Sequence, residues 1–189
     1  MNETKNPSAV RSQTEITEAL LALMKKYPYG EITVKQIILE ARLARKTFYR
    51  NFSSKDDVLR SLIKEKLSRY FDIVNSAESD PLTTIFEFAD RNRELLMLLA
   101  KNDMMHVMLS CTNEYLPQMR DSRLSALHPS VPLFEGLDEE YLMAMNIGAV
   151  WNVLALWVQR GMTDDPKSIR NVLAEYIDRI KKADIPKMP

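Results

Sequence analysis

Five basic residues, Arg42, Arg45, Lys46, Arg50 and Lys55, lie between Glu40 and Asp56 with no acid among them. Within this window the stretch ARKTFYRNF, residues 44 to 52, interleaves three cations with Phe48, Tyr49 and Phe52. Such a set suits an anion spread over space. Guanidinium and ammonium groups neutralise phosphates and donate to guanine edges, while the hydroxyls of Thr47 and Tyr49 can bond phosphate oxygens. Local spacing alone, however, fits a solvated helical face better than it fits DNA binding, so the surrounding elements must decide.

Other chemistries find little footing. His106 and the single Cys111 share one segment five residues apart, which does not place them on one helical face, and no acid or base stands beside them. His128 adjoins Pro129 in a loop and reads as structural. Asp138, Glu139 and Glu140 read as the start of a helix rather than a metal site. No catalytic residue, metal or cofactor is expected. The eleven methionines suit core filling, or an adaptable ligand cavity whose lining residues the sequence does not single out.

The elements that position the basic window are helical. Four Gly and nine Pro leave little for hairpin turns, and Leu, Ala, Lys, Glu and Met are frequent. A chain of 189 residues with 46% hydrophobic content can fill one substantial core or two small ones. The N-terminal MNETKNPSAV lacks the apolar core of a secretory signal, and one cysteine suits a reducing compartment, so a cytoplasmic protein is expected. The stretch MAMNIGAVWNVLALWV is 16 residues long with two Asn inside it, shorter than the ~20 needed to span a bilayer, and reads as a buried helix. Net charge is zero, but residues 1–75 hold 14 basic against 9 acidic side chains and the remainder 12 against 17. A basic module joined to an acidic body suits an anionic partner for the first.

Periodicity predicts a first helix over 10–26, with Ser12 and Glu15 as a capping box near its start. Thr33 caps a short second helix whose Val34, Ile37, Ile38 and Ala41 share one face, and a third runs from about Ala44 to Asn51. Ser53, Ser54, Asp56 and Asp57 open a fourth from Lys55 to Val74, about 30 Å long at ~1.5 Å per residue. Further helices are expected over 82–91, 93–101, 103–119, 138–160 and 166–181, with a Pro-rich loop at 128–136.

Two short helices in a tight bend, the second carrying free cations, are what a helix-turn-helix needs. The segment ITVKQIILEARLARKTFYRNFSSKDDVL resembles the signature of the TetR/AcrR family of bacterial transcriptional regulators, and the resemblance extends over residues 10–75. It implies an all-α chain, with a DNA-binding head at 1–55 and a regulatory and dimerisation body at 56–189. It also implies DNA contacts from Thr33, Ala44, Arg45, Lys46, Thr47, Tyr49, Arg50, Asn51 and Lys55. Arg42 stands where these proteins usually have Gly, which alters the turn or adds a phosphate contact, and Asn51 stands where His is frequent.

GAVWNVLALWVQRGMTDDPKSI is similar to a branch of that family whose last two long helices pair with those of a second subunit. The segment 138–160 is apolar nearly all round, so it needs cover on more than one side. Ala144, Gly148, Trp151, Ala155, Ile169, Leu173 and Ile177 are the expected contacts of a two-fold homodimer. The expected partners are thus a palindromic double-stranded operator, a second copy of the chain and a small-molecule effector of unknown identity, with no membrane. The functional expectation is a repressor released by that effector. A regulator-derived adaptor that binds protein, and a regulator without a ligand, are the alternatives.

Overall fold

Ile16, Ala19, Leu20, Leu23 and Met24 recur at helical spacing and are buried along one side of the first helix, α1 (Pro7–Lys26). The computed structural model describes residues 7–76, 80–115 and 138–182. His128, the Pro-rich loop and the end of the segment expected to be helical over 103–119 lie outside them. Helix α1 begins earlier than the Ser12/Glu15 pattern suggests. Ser12 is buried inside the helix, where its hydroxyl donates to the Ser8 carbonyl at 2.9 Å, so it back-bonds instead of capping.

A single 3-10 turn (Tyr29–Glu31) leads to α2 (Val34–Glu40) and α3 (Arg45–Asn51). Helix α2 starts with a reciprocal box. Thr33 accepts from the Gln36 N–H at 3.3 Å, and the Gln36 carboxamide accepts from the Thr33 N–H at 2.8 Å. Its end is a Schellman motif, in which the Arg42 N–H donates to the Leu39 carbonyl and the Leu43 N–H to the Ile38 carbonyl. That motif requires a left-handed residue, and Arg42 supplies it at φ 54° where glycine is the usual choice.

The long helix α4 (Lys55–Ser76) opens in the manner its sequence predicts. The Asp57 N–H donates to the Ser54 hydroxyl at 3.1 Å and Asp57 accepts from the Ser53 N–H at 2.8 Å. One face of α4 packs on α1, and its other contacts are with α5 (Pro81–Arg91) and α7 (Met105–Asn113). Helix α6 (Arg93–Lys101) runs between α1 and α8 (Glu139–Gln159), and α9 (Pro166–Lys182) lies on α5. All described secondary structure is helical. The core is continuous: Ile37 and Phe48 of the first three helices join through Val58, Ile63 and Leu67 of α4 to Leu99, Met108 and Trp157.

Asp138 caps α8 by accepting from the N–H groups of Glu140 and Tyr141, as an ordinary helix start does. This helix is long and apolar enough to cross a membrane by length and composition, yet Leu142, Leu154, Trp157 and Val158 are buried within the bundle. Met143, Ile147, Val150 and Val153 pack against the core beside them. Tyr141, Met145 and Leu156 remain exposed, joined by Val172 and Tyr176 of α9. Leu173 is only 8% exposed and belongs to the protomer's own core, and Ile169 and Ile177 pack against that core. Spacing of four places the three on one face, but that face is the inner one, and the outward apolar residues are Val172 and Tyr176.

Candidate nucleic-acid interface

Helix α3 has seven residues, far fewer than the ~12 an isolated helix needs, so tertiary packing must hold it. Phe48, fully buried, and Phe52 provide that anchor, with ring centroids 6.3 Å apart. With the ring of Phe48 turned inward, helical geometry turns Arg45, Lys46, Tyr49 and Arg50 outward, and all four are exposed, as are Ala44 and Arg42. Thr47 and Asn51 are half-buried, and the Asn51 carboxamide donates to the Thr47 carbonyl at 2.8 Å. The Arg45 guanidinium lies 5.5 Å from the Tyr49 ring centroid, and Tyr49 stands edge-on to Phe48 at 5.3 Å, so aromatic contacts order the outward face.

Among the described residues, no carboxylate pairs with Arg42, Arg45, Lys46 or Arg50. Within the described residues their charge is therefore uncompensated. Lys35, exposed on the first turn of α2 and likewise without an ion-pair partner among the described residues, extends the field. The sequence signal for it was a lone cation between Glu31 and Glu40, beside the Thr33 cap. Thr33 is exposed, and its hydroxyl also donates to Gln36 at 2.7 Å.

Lys55 is placed differently from these cations. Its ammonium donates to the carbonyls of Tyr29 at 2.7 Å and Ile32 at 2.8 Å, with Gly30 at 3.4 Å, and sits 4.5 Å from the Tyr29 ring centroid. It braces the turn that precedes α2. The Tyr29 hydroxyl donates to Asp56 at 2.6 Å, and burial followed by that carboxylate holds the phenol above its ordinary pKa range. From the body, the Asn102 carboxamide accepts from the Tyr29 N–H at 2.9 Å and donates to the Met24 carbonyl at 3.2 Å. No local pattern marked Asn102 for this role, because Tyr29 and Met24 lie more than seventy residues away and its one local bond is to the Leu98 carbonyl. Head and body thus meet in a polar junction around Tyr29, beside the Lys25–Glu94 pair and the Lys101 bond to the Lys25 carbonyl.

The body contains a cavity of about 110 Å³ between α4, α5, α7, α8 and α9, lined among others by Phe71, Phe88, Met105, Met108 and Ile147. Trp151, Leu173 and Ile177, expected at a dimer contact, also line it. Ala144 is exposed, while Gly148 and Ala155 are half-buried. A Cβ added at Gly148 meets nothing of its own protomer within 4 Å. His106 is exposed, with Nδ1 3.1 Å from the Asp103 carbonyl, and Cys111 is fully buried, its thiol pKa pushed up by that burial.

Residues 16–62 match the sequence profile of the bacterial regulatory proteins of the tetR family. A curated relative, the uncharacterized HTH-type transcriptional regulator YxbF of Bacillus subtilis, is 24% identical over 179 residues, 92% of this chain. The chain spans about half of that relative's length, 46%. Two solved structures share the fold along nearly the whole chain. A TetR transcriptional regulator from Streptococcus agalactiae aligns at TM-score 0.70 and 17% identity, covering 92% of this chain and 97% of that one. The transcriptional regulator FadR from Bacillus subtilis, in complex with stearoyl-CoA, aligns at TM-score 0.62 and 19% identity, covering 87% and 96%.

Proposed function

We propose, from the premise that this chain belongs to the tetR family of bacterial regulatory proteins, that it is a homodimeric, sequence-specific DNA-binding repressor released by a small molecule. The observation that carries the DNA reading is the outward face of α3, with three exposed cations that no described carboxylate neutralises. In this reading Arg45 and Lys46 reach base edges. Arg42, Arg50, Lys35 and the hydroxyls of Thr33, Thr47 and Tyr49 lie along phosphates. Ala44 and Asn51 complete the contact surface, and Lys55 acts by holding the Tyr29–Ile32 turn from which α2 starts.

The division of labour falls at residues 55 and 56, with α4 serving both parts. Dimerisation is supported by the exposed apolar residues of α8 and α9, which a second copy would cover across a two-fold axis. Two heads then meet half-sites about one helical turn, ~34 Å, apart. A fold neighbour that holds stearoyl-CoA supports a body able to take a ligand. Such a ligand releases DNA only by favouring a conformation whose heads are wrongly spaced.

A gel shift on the DNA upstream of the protein's own gene, against scrambled DNA of equal length, tests this reading. The expected result is a complex on the upstream fragment that survives excess scrambled competitor and weakens as salt rises. Equal binding to both fragments would overturn sequence-specific recognition.

A further inference from the structure

Tyr70 of α4 is only 4% exposed and lines the cavity of the body, where its ring lies against Phe71 and Phe88 at 5.1 and 5.4 Å between centroids. No hydrogen-bond partner of its hydroxyl is found among the described residues. Burial alone pushes its pKa up, so the phenol stays neutral and remains a donor. A buried hydroxyl without an acceptor is destabilising, and such groups in folded proteins usually receive one from elsewhere.

The rest of the lining restricts what can supply it. No described lining residue is charged. The Thr112 hydroxyl is committed to the Met108 carbonyl at 2.9 Å, which leaves half-buried Asn146, the indole N–H of half-buried Trp151 and exposed Tyr176 as the other polar groups of the lining. A carboxylate or phosphate entering here would lose its hydration without gaining a cation. At about 110 Å³ the space is smaller than an engineered apolar cavity of about 150 Å³ that accepts benzene, which limits a ligand's buried part to about one ring.

We propose that this cavity binds an uncharged, largely apolar molecule of about one aromatic ring, whose single carbonyl or similar acceptor receives the Tyr70 hydroxyl, and that it rejects the carboxylate of the same shape. The assignment rests on the reading of the body as the place of a small-molecule effector and gives that effector its chemical class. Tyr70 lies on the helix whose first residue braces the head, so a ligand held there contacts the element that both parts share.

Three molecules of nearly one shape separate the requirements: acetophenone, α-methylstyrene and benzoate, titrated calorimetrically into the DNA-free full chain at pH 7.5. Acetophenone is expected to bind most tightly, α-methylstyrene about fivefold more weakly for want of the acceptor, and benzoate more than about tenfold more weakly. Tyr70→Phe should erase the preference for the ketone over the hydrocarbon while leaving the hydrocarbon's affinity unchanged. Benzoate binding as tightly as acetophenone, no acetophenone binding up to its solubility, or a ketone preference that survives Tyr70→Phe would each overturn the proposal. Should that variant fail to fold, the ranking of the three molecules on the unaltered protein decides. Operator release is read separately: the expected ranking with no effect on DNA leaves the site assigned and removes the effector reading.

Discussion

The cations on and beside α3 and most of the arginines of the body are treated in opposite ways. In the body, Arg60 and Lys64 converge on Glu114, Arg170 reaches Asp80, and Arg91, Arg179 and Lys182 each meet an acid one turn away. On and beside α3, Arg42, Arg45, Lys46 and Arg50 have no such partner among the described residues. Pairing on the body ties α4 to α7 and α5 to α9; its absence on α3 leaves charge available to something outside the chain. Exposed apolar side chains gather mostly on the body, although Leu39 of α2 is exposed as well. The rings and chains behind α3 are buried, whereas α8 and α9 expose Tyr141 at 75%, Met145 at 69% and Val172 at 69%. Unmatched surface of each kind points to a partner of matching kind, a polyanion for the head and a second apolar face for the body.

The largest effect is expected at Gly148. Its own protomer leaves room for a side chain, so Gly148→Glu should fold normally while burying two unpaired carboxylates at the two-fold contact. Association should weaken by more than about 4 kcal/mol. Sedimentation is expected to show a 21.9 kDa species, and operator binding should fall with it. A variant that stays dimeric would place the interface elsewhere. Next in size, Arg45→Ala should cost about 1–3 kcal/mol of operator affinity and relax preference at one base pair per half-site, with sedimentation unchanged.

Asp80 sharpens the account of paired charge in the body. It caps α5 through Thr83 and accepts from Arg170 at 2.7 Å. Burial pushes its pKa up, but the bonds from Arg170 and Thr83 outweigh that and hold it below the ordinary value. A depressed carboxyl stabilises the fold above the unfolded pKa of about 3.9 and loses that contribution as pH falls through the folded value. Asp80→Ala should therefore cost about 1 kcal/mol at neutral pH, and urea melts of the two proteins should converge in acid below about pH 4. The smallest effect belongs to Arg42→Gly. Relief of the left-handed backbone at φ 54° should raise stability by about 0.5–1 kcal/mol, while loss of the cation weakens DNA binding.

What could be read from the sequence was what lies within about one helical turn. The Thr33 cap, the bounds of α3, the Ser54 and Asp57 start of α4 and the Asp138 cap are all contacts between residues two to four apart, and all were legible. Ser12 misled because a hydroxyl can bond the i−4 carbonyl inside a helix as readily as it caps one. Lys55 looked like another free cation, and its carbonyl partners 23 to 26 residues earlier have no local signature. The burial of Leu173 in its own protomer was not legible for a related reason. Periodicity marks an apolar stripe on α9 without saying which neighbour covers it, and α5 covers that stripe within the same protomer. Arg42 was legible as a departure from glycine, but not that the turn would keep its left-handed geometry regardless.

The central claim, that the unpaired cations at α3 are matched by DNA phosphates and bases, is tested most directly by the salt dependence of operator affinity. Counterion release ties the slope of log K against log salt to the cations engaged, and a dimer that presents Arg42, Arg45, Lys46 and Arg50 twice should give a slope of roughly −4 to −7. Replacing Arg42, Arg45 and Arg50 together by Ala should reduce that slope by at least about half, with the dimer and its melting unchanged. A slope shallower than about −2 in the unaltered protein, or one that the triple replacement leaves the same, would contradict the account.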